Sequence, residues 1–389
     1  MTVRCLTALT MLTAVAALLA ACWDKTELDE LALVGMIGAD IDPQSGNHMV
    51  YFQIINPLSG TTATGGTEGS QAPVYTYTVS GKSPGEIKSS IYKLLPRRMF
   101  VAHTRVMLIS RRTAEDGIRE IVNFQESLPD ARSSIPLLVV DGSLAQVMKT
   151  FTPLERAPSD AIDYRLRLLG RQSLYVGGPF DVRDVVERME RSDMIVVPMI
   201  RVPKEGTASD SGERATNIDA DQQNFIIEGG AVFREYRMVG ELADDELVWY
   251  HLLNGRRGRQ AQQFEMEGEP VTIEMRPVRI RRDVVPKAGR PLVRIKLDLE
   301  LSTAWASGYV PASLQEMERL ERTLNRVIED KALAFCQSTR ERGWDLIGLR
   351  ELLRRRAPDR SDPAEAARDA EVTVEVSARL KRIGGINHP

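Results

Sequence analysis

The chain is poor in cysteine, histidine and aromatic residues, and its charges nearly cancel. Three cysteines, Cys5, Cys22 and Cys336, stand in 389 residues, two of them close to the N-terminus. That excludes a disulfide-stapled scaffold, so the cores must hold by burial. Four histidines, His48, His103, His251 and His388, occur singly, without a second ligand three or four positions away. A metal site would have to be collected from distant loops, and each imidazole reads as a satisfied or solvent-facing side chain. Lys and Arg total 51 against 54 Asp and Glu, leaving a formal charge of -3. Such a balance supplies no field to gather nucleic acid or a strongly charged ligand. No Gly-rich phosphate loop, nucleophile elbow, paired-Cys or His-Glu-x-x-His pattern occurs, so no catalytic, cofactor-binding or metal-ligating residues are assigned and the reading leans away from an enzyme.

Long apolar runs are also missing, with one exception at the start. Arg4 precedes a small and apolar run from Leu6 to Ala20, broken only by Thr7, Thr10 and Thr13. The run is shorter than the ~20 residues a membrane span needs, and it ends at small residues instead of a basic flank, as a signal-peptide core does. Leu19-Ala20-Ala21-Cys22 has the order of a lipobox, and the polar start at Asp24 fits a mature N-terminus. Residues 1–21 are therefore expected to be removed. Cys22 would become the first residue, its thiol carrying a diacylglyceryl group, with or without an N-acyl chain. Two or more acyl chains on one residue anchor a protein durably where one does not, so the mature chain is expected to be tethered to a membrane rather than to span it.

The remaining ~365 residues are too many for one core and suggest two or three domains of mixed α and β structure. Leu31 to Asp42 and Met49 to Ile55 read as an antiparallel hairpin around Pro43-Gln44-Ser45-Gly46-Asn47, followed by a Gly- and Thr-rich loop from Leu58 to Ala72 and a third strand, Val74 to Val79. Ser83-Pro84 opens a helix through Leu95. A strand at Thr104 to Ser110, a helix at Thr113 to Leu128, a strand at Ile135 to Val140 and a helix from Asp141-Gly142-Ser143 then alternate, as expected for helices packed on a sheet. Helices at Ser159 to Gly170 and Asp181 to Arg191 lead to a strand at Met194 to Ile200. The polar stretch 203–221 is read as a linker or long excursion that closes a first region, 22–202.

Beyond it, the spacing predicts a small unit over 222–260. It consists of a hairpin, Asn224 to Phe233 with Arg237 to Glu241, and a helix from Ala243 to Gly255. Residues 261–384 have a different texture. Two long alternating strands, Phe264 to Ile280 and Pro291 to Ala304, precede a helix from Pro311 to about Arg342, a second from Asp345 to Arg356, and a closing strand, Glu371 to Ala378. The C-terminal part thus reads as a largely antiparallel sheet packed by a long and a shorter helix, and the whole as a multidomain α+β fold. Cys336 falls on the apolar stripe of the long helix and reads as a buried structural thiol. The clusters Arg256-Arg257-Gly258-Arg259 and Arg354-Arg355-Arg356 read first as solvated ends of elements, with lipid headgroups or an acidic partner as the alternative. Tyr75, Tyr77, Trp249 and Tyr250 are assigned to core packing.

Taken in order, five stretches carry a resemblance: CWDKTELDELALVGMIGADID at 22–42, HTRVMLISR at 103–111, SSIPLLVVDGSLAQVM at 133–148, GGAVFREYRMVGELADDE at 229–246, with Glu246 in an acidic slot, and VTVEVSARLKRIGG at 372–385. In this order the chain resembles the C-type subunit of a spore nutrient-germinant receptor, the Ger(x)C lipoprotein family. The resemblance implies a three-domain mixed α/β protein, palmitate-type lipid on Cys22, and a place on the outer face of the cytoplasmic or spore inner membrane. It also implies assembly with two integral membrane subunits, the A and B types, and no catalytic residues. A lipid-anchored extracytoplasmic solute-binding protein is the alternative; it would need two comparable lobes and a ligand cleft.

Overall fold

The computed structural model describes residues 27–57, 72–150, 157–172, 181–191, 194–202, 225–256, 258–266, 269–285, 290–306, 313–356 and 362–382, together with Met11, Thr152, Leu154 and Glu155. Cys22, His388, Arg257 and nearly all of the stretches 58–72 and 203–221 lie outside them.

A 3-10 turn, Leu28–Glu30, leads into β1, Leu31–Ile41. Then follow β2 (His48–Ile55), β3 (Val74–Gly81), α1 (Pro84–Leu94), β4 (Arg98–Phe100), β5 (Val106–Ser110), α2 (Arg111–Asp116), α3 (Arg119–Ser127), β6 (Leu137–Val140), α4 (Leu144–Lys149), α5 (Pro158–Gln172), α6 (Val182–Glu190) and β7 (Ile195–Arg201). The chain continues with β8 (Ile226–Arg234), β9 (Arg237–Leu242), α7 (Asp244–Leu253), β10 (Gln260–Met266), β11 (Glu269–Val285), β12 (Leu292–Ala306), α8 (Leu314–Glu341), α9 (Leu349–Arg356), α10 (Pro363–Asp369) and β13 (Glu371–Arg382).

Two sheets organise these elements. The first runs β3-β2-β1-β5-β6-β7-β8-β9, with β4 also paired to β1. Its centre, β1-β5-β6-β7, is parallel, and both flanks are antiparallel hairpins. Strands buried on both faces read as continuous apolar runs, as β5 and β6 do, every residue of each being buried. The second sheet, β10-β11-β12-β13, is antiparallel except for its last pair, where β13 lies parallel to β12 after the long return through α8, α9 and α10. The mixed α+β expectation is met.

Several elements differ from the sequence reading, each for a local reason. The single helix expected over Thr113 to Leu128 is two, because Gly117 adopts φ 136°, and Ile118 donates its N–H to the Tyr236 carbonyl in the turn between β8 and β9 instead of continuing the helix. The strand expected over Phe264 to Ile280 is a hairpin, β10 with β11, in which Phe264 pairs with Val271. Asp345 does not begin the second C-terminal helix; its carboxylate accepts the N–H groups of Leu349 and Arg350 from outside α9. Strand β4 and helix α10 were too short for any periodicity to show. Tyr75 stands 46% exposed rather than in a core.

The largest difference concerns the expected division at 203–221. The hairpin β8-β9, assigned above to a small unit on the C-terminal side, extends the first sheet, since β8 pairs with β7 from Ile195↔Phe233 to Arg201↔Ile226. Its tight turn uses Glu235 and Tyr236, both at positive φ, the twist a two-residue hairpin requires. Helix α7 follows directly, and Leu247 through Leu253 are all buried. A helix apolar all round belongs inside a core, and one cluster of buried side chains here includes β5, β6 and β7 of the first sheet, α7, and β11, β12 and α8 of the second part.

Candidate functional site

The titratable residues singled out from sequence do not converge. His48 is half-buried with Nε2 3.6 Å from Glu120. His103 is exposed, and His251 is buried inside α7, where desolvation lowers its pKa to about 3. Cys336 is buried as expected, and burial pushes its thiol up to about 12, far from nucleophilic use. No three His, Cys, Asp or Glu side chains among the described residues are placed to hold a metal ion. The basic clusters are largely matched internally: Arg354 and Arg355 both bind Glu351, holding its carboxyl down to about 2, and Arg259 faces Glu274 at 3.5 Å.

What the fold brings together instead is a set of charged residues from separate sequence stretches. Arg111, which opens α2 directly after β5, reaches Asp141 just past β6 (3.0 Å) and Glu241 on β9 (2.5 Å). Partial burial pulls its pKa down, but the two carboxylates outweigh that and leave it raised. One residue along, Arg112 binds both oxygens of the buried Asp40 on β1 at 3.2 and 3.0 Å, and Asp40 also accepts the Ser110 hydroxyl at 2.5 Å. These contacts tie four strand ends with charge-assisted bonds, each stronger than a neutral one.

A second set joins the sheets. Gly240 on β9 lies under the Trp344 ring so closely that a Cβ there would sit 2.4 Å from ring carbon Cζ2. Arg342 packs its guanidinium 4.9 Å from the same ring and pairs with Glu246, whose carboxylate also accepts the Ala243 N–H at the start of α7. Asn254, closing α7, donates to the carbonyls of Tyr250 and Leu346. Arg282 of β11 donates to the carbonyls of Leu253 and Ile347 and to the Asn254 side chain. Burial lowers its pKa, nearby Cys336 and Asp345 opposing. Beside these residues opens a cleft of about 420 Å³, lined among others by Asp184, Arg188, Arg282, Asp345 and Glu351. Its charged walls come from Asp, Glu and Arg, and its described lining includes no Ser, Thr, Cys or His.

Family profiles match both halves. One described as "Spore germination protein N-terminal domain" covers residues 24–202, and one described as "Spore germination B3/ GerAC like, C-terminal" covers 228–384. Spore germination protein KC of Bacillus subtilis (strain 168) is 26% identical over 99% of this chain and 97% of its own length. The chain belongs to the Ger(x)C family of spore germination proteins. The Ger(x)C fold is seen as well in the crystal structure of the GerBC protein, which matches 88% of this chain and 97% of its own with a TM-score of 0.55 at 14% identity. In this Ger(x)C protein the N- and C-terminal matches stop at 202 and start at 228, yet β7 and β8 pair across the gap.

Three of the stretches that carry the resemblance, 103–111, 133–148 and 229–246, meet at Arg111 through Asp141 and Glu241. Sequence reasoning found the stretches and missed their shared contact. Each charge follows or ends an apolar strand, a pattern that marks a strand terminus without naming its partner.

Proposed function

We propose that this Ger(x)C chain is a lipid-anchored, non-catalytic C-type subunit of a spore germinant receptor. It would be tethered through Cys22 to the outer face of the cytoplasmic or spore inner membrane, and required for assembly of the receptor or for passing on the nutrient signal. The carrying observation is that the family matches both halves of a chain whose N-terminus reads as a lipobox. Among the described residues no helix is long and apolar enough to cross a membrane, which is in keeping with a covalent tether. Confinement to a plane raises the effective concentration of a globular body for neighbouring membrane proteins, so that modest interfaces with A- and B-type subunits suffice. The charged contacts support a scaffolding role: those at Arg111 tie strand ends within the first sheet, and those at the α7 junction join that sheet to the second.

Replacement Cys22→Ala tests this reading. Fractionation should move the protein from the membrane to the soluble phase, and spores should lose response to the nutrient served by this receptor. Full membrane retention with normal germination would overturn it.

A further inference from the structure

The end of the first sheet from which the N-terminal tether emerges carries side chains that suit a lipid surface. Strand β1 begins at Leu31, nine residues after Cys22, a separation that an extended chain spans over at most about 32 Å. Whatever lies at the start of β1 is therefore held near the bilayer if Cys22 is acylated. Register fixes what that is. Strand β2 ends there, Val34 pairing with Ile54, and β3 begins there, Ile54 pairing with Tyr75. Helix α1 runs back over β3 from Gly81, which touches Ile87, and delivers Leu94 to the same end, since β4 then pairs Arg98 with Leu31. Helix α5 starts there too, with Ser159 against Gly35 and Asp160 3.4 Å from Arg105.

Large apolar side chains are exposed at this end: Tyr92 at 66%, Leu94 at 44%, Tyr75 at 46%, and Leu154, shortly before α5, at 93%. Lys93, Arg97 and Arg98 interleave with them and are exposed. Arg98 is matched by Asp130 at 3.4 Å, while Lys93 and Arg97 form no ion pair among the described residues. Of the acids nearby, Asp130 and Asp160 are paired with Arg98 and Arg105, and Glu27, Asp29 and Glu30 belong to the tether and the turn that follows it. Tyrosine and leucine interleaved with long cationic side chains are the composition of a bilayer interface, where rings and leucines enter the headgroup boundary and Lys and Arg snorkel to phosphate.

We infer that the α1–β4 corner, with Tyr92, Leu94, Lys93 and Arg97 at its centre, is a second membrane contact that lays the first sheet end-on against the lipid surface and fixes the orientation of the tethered body. This rests on the anchoring reading above. The occupant is the bilayer itself, because the corner and the tether leave the fold at the same place.

The test uses the full lipidated chain carrying Leu94→Cys, reconstituted in phosphatidylglycerol-containing vesicles and labelled with an environment-sensitive fluorophore. Cys336 is buried with its thiol pushed up to about 12, so labelling reports the introduced residue. Gln44→Cys, exposed in the β1–β2 turn at the opposite end of the sheet, is the control. Quenching by headgroup-depth lipid quenchers should be several-fold stronger at position 94 than at 44. The Lys93→Gln, Arg97→Gln pair should lower the ratio of docked to undocked chain about fivefold per cation removed. Co-sedimentation with vesicles but equal quenching at the two positions would overturn the contact while leaving the anchor intact. Protection of position 94 only in native membranes, and not in vesicles of lipid alone, would overturn the bilayer as occupant in favour of a protein. Failure to co-sediment at all would overturn the anchoring reading, and the contact with it.

Discussion

Gly240 and His251 show how single residues set the joint between the sheets. A methyl group at 240 has no room under the rigid Trp344 ring, so Gly240→Ala must push β9 and the 342–347 turn apart. Overpacking of this kind costs about 1–3 kcal/mol, and urea denaturation should read it as a lower midpoint with unchanged slope. His251 is held neutral, its pKa about 3 in the fold against 6.5 for an ordinary imidazole. The unfolded chain therefore binds the extra proton first. Stability is complete above about pH 6.5 and falls as pH drops toward 3, by at most about 1.4 kcal/mol per pH unit. His251→Gln should flatten the stability-pH curve in that window; an unchanged slope would show that other groups set it. Neither role was visible in the sequence. A glycine and a histidine carry no mark of the side chain that will cover them, whereas Cys336, embedded in a helical apolar stripe, was placed correctly because its neighbours fix its environment.

At the scale of elements, the long helix α8 acts as a surrogate strand. Glu321, Asn325 and Glu329, one turn apart, accept the N–H groups of Leu380, Ala378 and Val376 on the outer side of β13. Their spacing of four residues follows one helix face, and the amides they meet are alternate residues of a strand, all facing away from β12. An open strand edge is a template for pairing with another chain, and here a row of side chains closes it. Asn325→Ala leaves the amide of buried Ala378 unsatisfied and should cost about 1–3 kcal/mol by thermal or urea unfolding. Asn325→Asp, which keeps an acceptor, should recover most of that loss. The helix itself was legible from Leu320, Leu324 and Ile328 at spacings of four, as were β1, β2, β3 and α1, whose periodicity and caps are local. The polar ladder was not legible, since glutamates on a helix read as a solvated face until the strand beside them is known. The hairpin β10-β11 was missed for a related reason: both of its strands alternate, so they read as one long strand until pairing shows where the chain doubles back.

For the whole molecule, the family boundaries and the physical boundaries do not coincide. The first sheet takes its last two strands from beyond the 203–221 stretch, and α7 is buried between that sheet and the second. Two separately matched halves suggest two independent folding units, but a shared core predicts one. Urea unfolding followed by far-UV circular dichroism and by tryptophan fluorescence should give a single coincident transition. Two resolved transitions would show that the halves fold apart. A core shared across the junction suits the tethered subunit proposed above, because contacts made by one sheet are carried to the other.

The parallel seam of β12 with β13 has a consequence for how such a chain is made. Its two strands are separated by everything between Ala306 and Glu371, so the second sheet stays unsealed until Glu371 to Arg382 have left the ribosome. Until then a nascent molecule presents one greasy ribbon and a helix studded with idle acceptors. A premature stop just ahead of Glu371 would leave every copy in that state, as harmful as one that removes half the protein.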